Sequence, residues 1–338
     1  MTLSETKVPL LDSSPSTTLR TGFSLRPAQW ADLNAVTQLI YDVCEADGDT
    51  TVAVTPDELK HEWKNEGFKL ETDAFLVETK EGRVVGYEEF GNEKDHYQLH
   101  ADGYVHPDFK GLGIGTSLLR TVEARAREDM KLAEPDLRVF IHSTLDNKDE
   151  QGHVLHKTEG YFSVRYHWRM EVKLDAMPPA PVWPEGVEFR PFVKEEHAVA
   201  VWQAQNESFR DHWGSRDATF EEFSHSRFDD PEYNPDLWAI AWDGDEVAGI
   251  SINRFRMGIG WIRTLGVRRP WRKKGLGLAL LQHSFGEFYQ RGKNTIGLGV
   301  DASNPTGATR LYQRAGMYAA SEFVKYEKEL RPGRSVEK

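Results

Sequence analysis

Apolar and polar residues alternate from Val187 to Val193, the period of a strand with one buried face. Over Glu195–Phe209 the apolar positions Val199, Trp202 and Phe209 fall at helical spacing. Thr219–Phe228 predicts a second short helix, because Thr219 followed by Glu222 fits a capping box. Leu237–Trp242, Glu246–Phe255 and Trp261–Val267 read as three strands, the first two joined by the strong hairpin signal Asp243-Gly244. A glycine-rich stretch leads into a helix through Leu278, Leu281, Phe285 and Phe288 that ends at Gly292. Thr295–Val300 reads as a buried strand, Thr306–Ala315 as a helix stopped by Gly316, and Tyr318–Leu330 as the last strand or two. The order βααβββαβαβ predicts an α/β fold around a central sheet.

The pattern is duplicated. Arg26-Pro27 recurs as Arg190-Pro191, 164 positions on, Val85-Gly86 as Ala248-Gly249, 163 on, and Gly113-Ile114-Gly115 as Gly275-Leu276-Gly277, 162 on. Leu155 and Gly160 recur as Leu311 and Gly316, 156 on. Landmarks in one order with a slowly drifting offset predict two copies of one domain, residues 22–175 and 186–332. The join, 176–185, holds Pro178, Pro179, Pro181 and Pro184 and predicts a stiff extended linker. Residues 1–21 are rich in Ser and Thr and have no apolar run of signal-peptide type, so a flexible tail is expected there.

Charge and cysteine usage narrow the chemistry. The 338 residues carry 42 Lys+Arg against 54 Asp+Glu, a formal −12, which argues against a nucleic-acid coat but not against a local basic pocket. The acidic balance favours cationic acceptors mildly, through an attraction that salt weakens. A single cysteine, Cys44, leaves no internal disulfide and no Cys-based metal site, and buried packing is its expected role. The 12 histidines show no metal-ligand spacing beyond His153 and His156, so no metal is expected. No apolar run reaches the ~18–20 residues of a membrane helix. A cytoplasmic protein without nucleic-acid or membrane partners is the expectation, with oligomeric state open.

Between the fourth strand and its helix the second half runs from Leu265 through Gly266, Val267, Arg268, Arg269, Arg272, Lys273 and Lys274 to Gly275, Leu276, Gly277 and Leu278. A strand that enters a glycine-rich turn and opens a helix presents unpartnered N–H groups and the positive end of the helix dipole, the physics of a phosphate site. Five cations within seven residues add to it. The loop does not match G-x-x-x-x-G-K-[ST], and it lacks the third glycine and the early position of a dinucleotide fingerprint.

Arg272-x-x-Gly275-x-Gly277 after Leu265-x-Val267, followed by Asn304-x-x-x-Ala308-x-x-Leu311-Tyr312-x-x-x-Gly316-Met317, resembles the GNAT family of acetyl-CoA-dependent N-acetyltransferases. The resemblance covers the second half. The first half carries the loop as Lys110-x-x-Gly113-x-Gly115, and the tandem layout is similar to mycothiol synthase-type acetyltransferases. The resemblance implies two mixed, mostly antiparallel sheets flanked by helices, acetyl-CoA as cosubstrate and a small-molecule amine as acceptor. It implies that Leu265, Gly266 and Val267 pair with the pantetheine arm, that N–H groups from Arg272 to Leu278 hold the pyrophosphate, and that Asn304 and Arg310 lie near the cofactor. Tyr312 is then the general acid. A phenol of pKa near ~10 facing a thiolate whose conjugate acid has pKa about 8.5 gives roughly balanced proton donation.

Members of the family often place a basic carboxylate on the fourth strand, but Gly260–Val267 contains no Asp or Glu. Glu207, His212 and Glu322 remain as candidate bases, of which His212 titrates unperturbed at ~6.5. In the first half His156 stands where Tyr312 stands in the second, and Asp108 sits beside Lys110, so that half is expected to have lost the chemistry. Direct transfer to an amine in a ternary complex is the primary expectation. A non-catalytic CoA-binding module and a transferase for longer acyl groups are the alternatives.

Overall fold

The computed structural model describes residues 19–304 and 306–336. The first half runs β1 (Phe23–Pro27), α1 (Leu33–Ala46), α2 (Pro56–Glu62), α3 (Leu70–Asp73), β2 (Ala74–Thr79), β3 (Val84–Lys94), β4 (Gln98–Val105), α4 (Ile114–Asp129), β5 (Val139–Asp146), α5 (Glu150–Thr158) and β6 (Phe162–Lys173). The second half repeats it as β7 (Val187–Pro191), α6 (Lys194–Phe209), α7 (Phe220–Phe228), β8 (Ala239–Asp243), β9 (Glu246–Arg256), β10 (Ile259–Val267), α8 (Leu276–Gln290), β11 (Thr295–Asp301), α9 (Ala308–Arg314) and β12 (Tyr318–Arg331). Local chemistry sets several boundaries. Thr219 and Glu222 form the anticipated reciprocal cap of α7, with bonds of 2.7 and 3.1 Å. The helix after β11 starts at Ala308, two residues later than the pattern indicates, because Gly307 is left-handed at φ +76°. Most of the expected tail lies outside the described residues. Of its last positions, Leu19 packs beside Val77 and Leu118, and the Arg20 N–H donates to Leu112 O at 3.3 Å.

The two halves share one twelve-stranded sheet, ordered β1-β2-β3-β4-β5-β12-β6-β11-β10-β9-β8-β7. Two strands have exchanged places. β12, the last strand, pairs antiparallel with β5 of the first half from Phe323↔Asp146 to Arg331↔Val139. β6, which ends the first half, pairs antiparallel with β11 of the second from Thr295↔Lys173 to Asp301↔His167. β6 and β12 also pair with each other. The cores follow the exchange. Val324 and Tyr326 of β12 pack with Leu119, Val122 and Ile141 of the first half, and Met170 and Val172 of β6 pack with Leu281, Phe285 and Phe288 of the second. Each half therefore buries apolar surface donated by the other, so the two are coupled in folding. In the proline-rich join, Trp183 stacks near Phe189 and His283.

Helices cover both faces. In the second half α8 lies on one face, where the Phe288 ring occupies the space a side chain at Gly260 would need. α6 and α7 lie on the other, over Ile240, Ile250 and Ile252. The parallel pairs β4·β5 and β10·β11 sit at equivalent places in the halves.

Candidate active site

β10 and β11 run parallel but pair only at Gly260↔Ile296 and Trp261↔Gly297. Beyond Trp261 they part, so Leu265, Gly266 and Val267 bond to β9 along one edge and have no β11 partner along the other. A register shift between Ile262 and Thr264 marks a bulge at the parting point, a device that re-aims backbone groups. The open edge leads directly to the glycine loop. There Lys273 (φ +63°) and Gly275 (φ +91°) are left-handed, and Gly275 is the N-cap of α8 without a side-chain cap. The N–H groups of Lys273, Lys274, Gly275, Leu276 and Gly277 donate to no acceptor among the described residues, while the Leu278 N–H turns back to Gly275 O at 3.0 Å. Five successive free donors at a helix start form an anion cradle. A side chain at Gly275 would meet no atom within 4 Å, so the space before the cradle is open. Gly277 also serves packing: a Cβ there would lie 3.1 Å from Leu311, so its absence lets α9 approach α8.

The cations of the loop divide into two groups. Arg268 is bound by Glu207 at 2.6 Å and Glu246 at 3.2 Å. Arg269 pairs with Asp211, and Arg272 spans Val267 O (3.0 Å), Asp211 (2.8 Å) and Ser208 O (3.1 Å). These arginines pin the loop to the end of α6. Lys273 and Lys274 have no ion pair among the described residues. The Asn304 side-chain oxygen accepts from the Thr306 N–H (2.8 Å) and hydroxyl (2.6 Å), and so shapes its own turn. Arg310 is exposed and folds over Gly307.

Tyr312, on α9, is only 6% exposed, packed among Leu298, Val300 and Met317 of the second-half core. Its hydroxyl has no hydrogen-bond partner among the described residues, and burial pushes its pKa up to about 12. The phenol therefore stays protonated across the neutral range. Outright transfer to a thiolate is less balanced than the unperturbed values imply, and hydrogen-bond donation to developing negative charge is the better description of what this group can do.

A cleft of about 390 Å³ opens on the β11 face at the parting strands, lined by His167, Arg169, His212, Trp213, Trp261 and Gly299 among others. Gly299 is exposed on its floor, and a Cβ there would touch nothing within 4 Å. His212 has its ring against Phe209, with centroids 4.5 Å apart, and its pKa is lowered by burial and then by Arg272. His167 is likewise lowered, by burial and then by Lys325. Neither imidazole has a hydrogen-bond partner among the described residues, so two neutral rings with free nitrogens face one cleft. Glu207 lies outside this lining, held by Arg268. Glu322 accepts from Trp168 Nε1 at 2.7 Å.

His167 and Arg169 come from β6, which the chain order assigns to the other half. The cover of the cleft is also foreign: Val52 belongs to the α1–α2 connection, where Asp49 accepts from Ser321 (2.6 Å) and pairs with Arg169 (2.5 Å). Alternation of Arg165, His167, Arg169 and Glu171 along one strand face is the signal that could have found this wall.

The first half repeats the backbone but not the side chains. β4 and β5 pair from Gln98↔Phe140 to Ala101↔Ser143 and then part. Gly111 (φ +77°) and Gly113 (φ +83°) match Lys273 and Gly275, and the N–H groups from Gly111 to Gly115 are also free of acceptors among the described residues. Lys110, however, is tied to Asp149 at 2.9 Å. His156 is pushed down to about 4 by burial. Its Nδ1–H donates to Gly152 O (2.9 Å) and its Nε2 accepts from Ser143 (3.0 Å), so no free donor remains. The tip of the β9–β10 hairpin lies against this half, where Arg256 binds Thr51 O and Val52 O at 3.0 and 3.2 Å and Met257 packs with its core.

Comparison with known proteins agrees with this architecture. The acetyltransferase (GNAT) family model matches residues 198–317, and an acetyltransferase (GNAT) domain model matches residues 71–161. A GCN5-related N-acetyltransferase from Sphaerobacter thermophilus is 37% identical and superimposes with a TM-score of 0.80 over 94% of this chain and 99% of that one. A tandem GNAT protein of the clavulanic acid biosynthesis pathway shares the fold at 16% identity, with a TM-score of 0.69 over 92% and 100% of the two chains. Mycothiol acetyltransferase of Catenulispora acidiphila is 26% identical over 329 residues, 91% of this chain and 99% of its own. No described helix is long and apolar enough to cross a membrane. With two family-model matches, a duplicated glycine loop and a full-length relative that is 37% identical, the chain belongs to the GCN5-related N-acetyltransferase family and is an acetyl-CoA-dependent N-acetyltransferase of the tandem type.

Proposed function

We propose that the second half transfers acetyl from acetyl-CoA to a primary amine by direct attack, and that the first half completes the acceptor cleft without performing chemistry of its own. The observation that carries this reading is the run of free N–H groups from Lys273 to Gly277 beside a parted parallel strand pair, with a phenol on one side and a lined cleft on the other. The loop donors hold a diphosphate, and the open β10 edge from Leu265 to Val267 offers main-chain partners to an amide-bearing arm. An N–H at the bulge stabilises the oxyanion as the amine attacks, and Tyr312 donates to the departing sulfur. His212, neutral and facing the cleft, takes the proton that the attacking amine must lose. Mycothiol acetyltransferase among the relatives supports a small-molecule acceptor. The first-half loop, with Lys110, Gly113 and Gly115, grips a CoA-type ligand but has no donor at His156 to assist a leaving thiolate.

Thiol release from acetyl-CoA across a panel of primary amines tests the reading. Amine-dependent release supports it, and tight CoA binding with no amine-dependent release contradicts it. Two site predictions follow from the cleft. Leucine at Gly299 fills open space without a clash and raises the acceptor KM on the order of tenfold or more, with the acetyl-CoA KM unchanged. The rate also carries a pH signature. Because the His212 pKa lies below 6.5, its neutral form persists to lower pH, and the acid limb of kcat/KM falls below that value. His212→Gln removes that limb, and a limb that stays in place assigns the proton to another group.

A further inference from the structure

A second and larger cleft, about 1070 Å³, lies between α2 of the first half and α7 of the second. Its floor is the sheet itself, and Arg254, Arg256 and Arg263 project from β9 and β10 into it. A fourth guanidinium, Arg227, sits behind them, bonded to Gln205 and Thr264. Asp230 and Glu58 are the carboxylates that answer this group: Arg254 lies 2.9 Å from Asp230 and 3.2 Å from Glu58, and Arg263 pairs with Asp230. Arg227 and Arg256 have no ion pair among the described residues, and the Nε atoms of Arg254 and Arg227 are buried without a hydrogen-bond partner. Burial and mutual repulsion lower Arg263 to about 10 and Arg227 to about 9, so both remain cationic at neutral pH yet gain from an added anion. A third carboxyl on the wall, Glu62, has no ion pair among the described residues. It is exposed, and solvent screens its charge.

We propose that this arginine floor is the recognition site for a carboxylate or phosphate group on the acceptor, so that the amine acetylated by the enzyme is an anionic one. This inference rests on the transferase reading above and adds the acceptor's chemical class. Guanidinium forks with spare N–H groups suit planar or tetrahedral oxyanions. The position is right as well. Arg256 lines both clefts with its guanidinium over the Trp261 ring at 5.4 Å, and Arg263 is the bulge residue where β10 leaves β11. A ligand anchored on the floor can pass Arg256 and present its amine at the parted strands. The mouth of the cleft is acidic, with Glu66, Glu221, Glu222 and Asp229, and Lys64 among them. Those acids are exposed, Glu222 is paired with Arg216 and Asp229 with His225, and solvent screens them far more than it screens the floor.

The test uses the full chain with acetyl-CoA saturating, so that both glycine loops are filled. Initial rates are compared for matched amines: an amino acid against its amide, and an aminoalkyl phosphate against the amino alcohol. The expected result is at least a tenfold higher kcat/KM for one anionic member of these pairs, with malonate or inorganic phosphate inhibiting competitively against the amine. The stronger inhibitor identifies carboxylate or phosphate. Arg263→Gln brings the anionic-to-neutral ratio toward one, a ratio that does not depend on the variant's absolute activity. Should that variant fail to fold, the wild-type inhibition pattern decides. Amines acetylated without regard to charge, with no competition by either anion, overturn the anion site and leave the transferase reading standing. Heat stabilisation by malonate that is lost in Arg263→Gln, in a protein that acetylates none of the amines, overturns the transferase reading and leaves the anion site.

Discussion

Tyr312→Phe lowers kcat by roughly 10²–10³-fold, the usual worth of a positioned proton donor, and leaves the acetyl-CoA KM within a small factor of wild type. The reason is the unusual state of the group. The phenol is 6% exposed and bonds to no group among the described residues, and burial keeps it in its neutral, donating form. A residue retained only for packing would serve better as phenylalanine. The variant is therefore expected to unfold at the same temperature or a higher one while losing turnover. A parallel loss of stability and rate would assign Tyr312 to the core alone. The basic limb offers a further readout. With the phenol raised to about 12, its ionisation adds no fall in kcat below about pH 11.

The second large effect is on cofactor affinity. Valine at Gly275 cannot hold φ +91°, so the turn that aims the N–H groups rearranges. Loss of two charge-assisted hydrogen bonds at ~1.5 kcal/mol each corresponds to an acetyl-CoA KM about 10²-fold higher. Gly113→Val makes the same change at φ +83° in the first-half loop and serves as the internal control. Turnover is expected to survive it. Steady-state KM for acetyl-CoA in the two variants checks the assignment, and the reverse pattern would move the reaction to the first half.

Much of the second half is legible in the chain because its signals are local. The Thr219–Glu222 cap forms as the spacing indicates, Gly244 turns the β8–β9 hairpin at φ +57°, and the glycine loop opens α8 from a left-handed Gly275. The strand exchange is not local. Nothing in the alternation of β6 states that its partner is β11 from the other half, and the long β12 reads equally well as one strand or two. For that reason the chain order does not place His167, Arg169 and Val52 at the cleft they line. Glu207 illustrates the opposite case. Its place on α6 beside the acceptor region is foreseeable, but its binding to Arg268, 61 positions away, appears only in three dimensions. The arginine floor is illegible in the chain for the same reason, since Arg227, Arg254, Arg256 and Arg263 converge from a helix and two strands.

The exchange also makes each half structurally dependent on the other. The smaller cleft draws on Val52 and His167 and the larger one on Glu58, all from the first half. Separating the halves would uncover β5 and β11 as sheet edges and remove those residues, so an isolated second half is not expected to be an equivalent enzyme.

A crystal structure of the chain with CoA tests the central claim most directly. The expected result is a pyrophosphate within ~3.2 Å of N–H groups between Lys273 and Gly277 and a sulfur within hydrogen-bond reach of the Tyr312 hydroxyl. CoA seated only on the Gly111–Gly115 loop, or a second-half sulfur directed away from Tyr312, would contradict it.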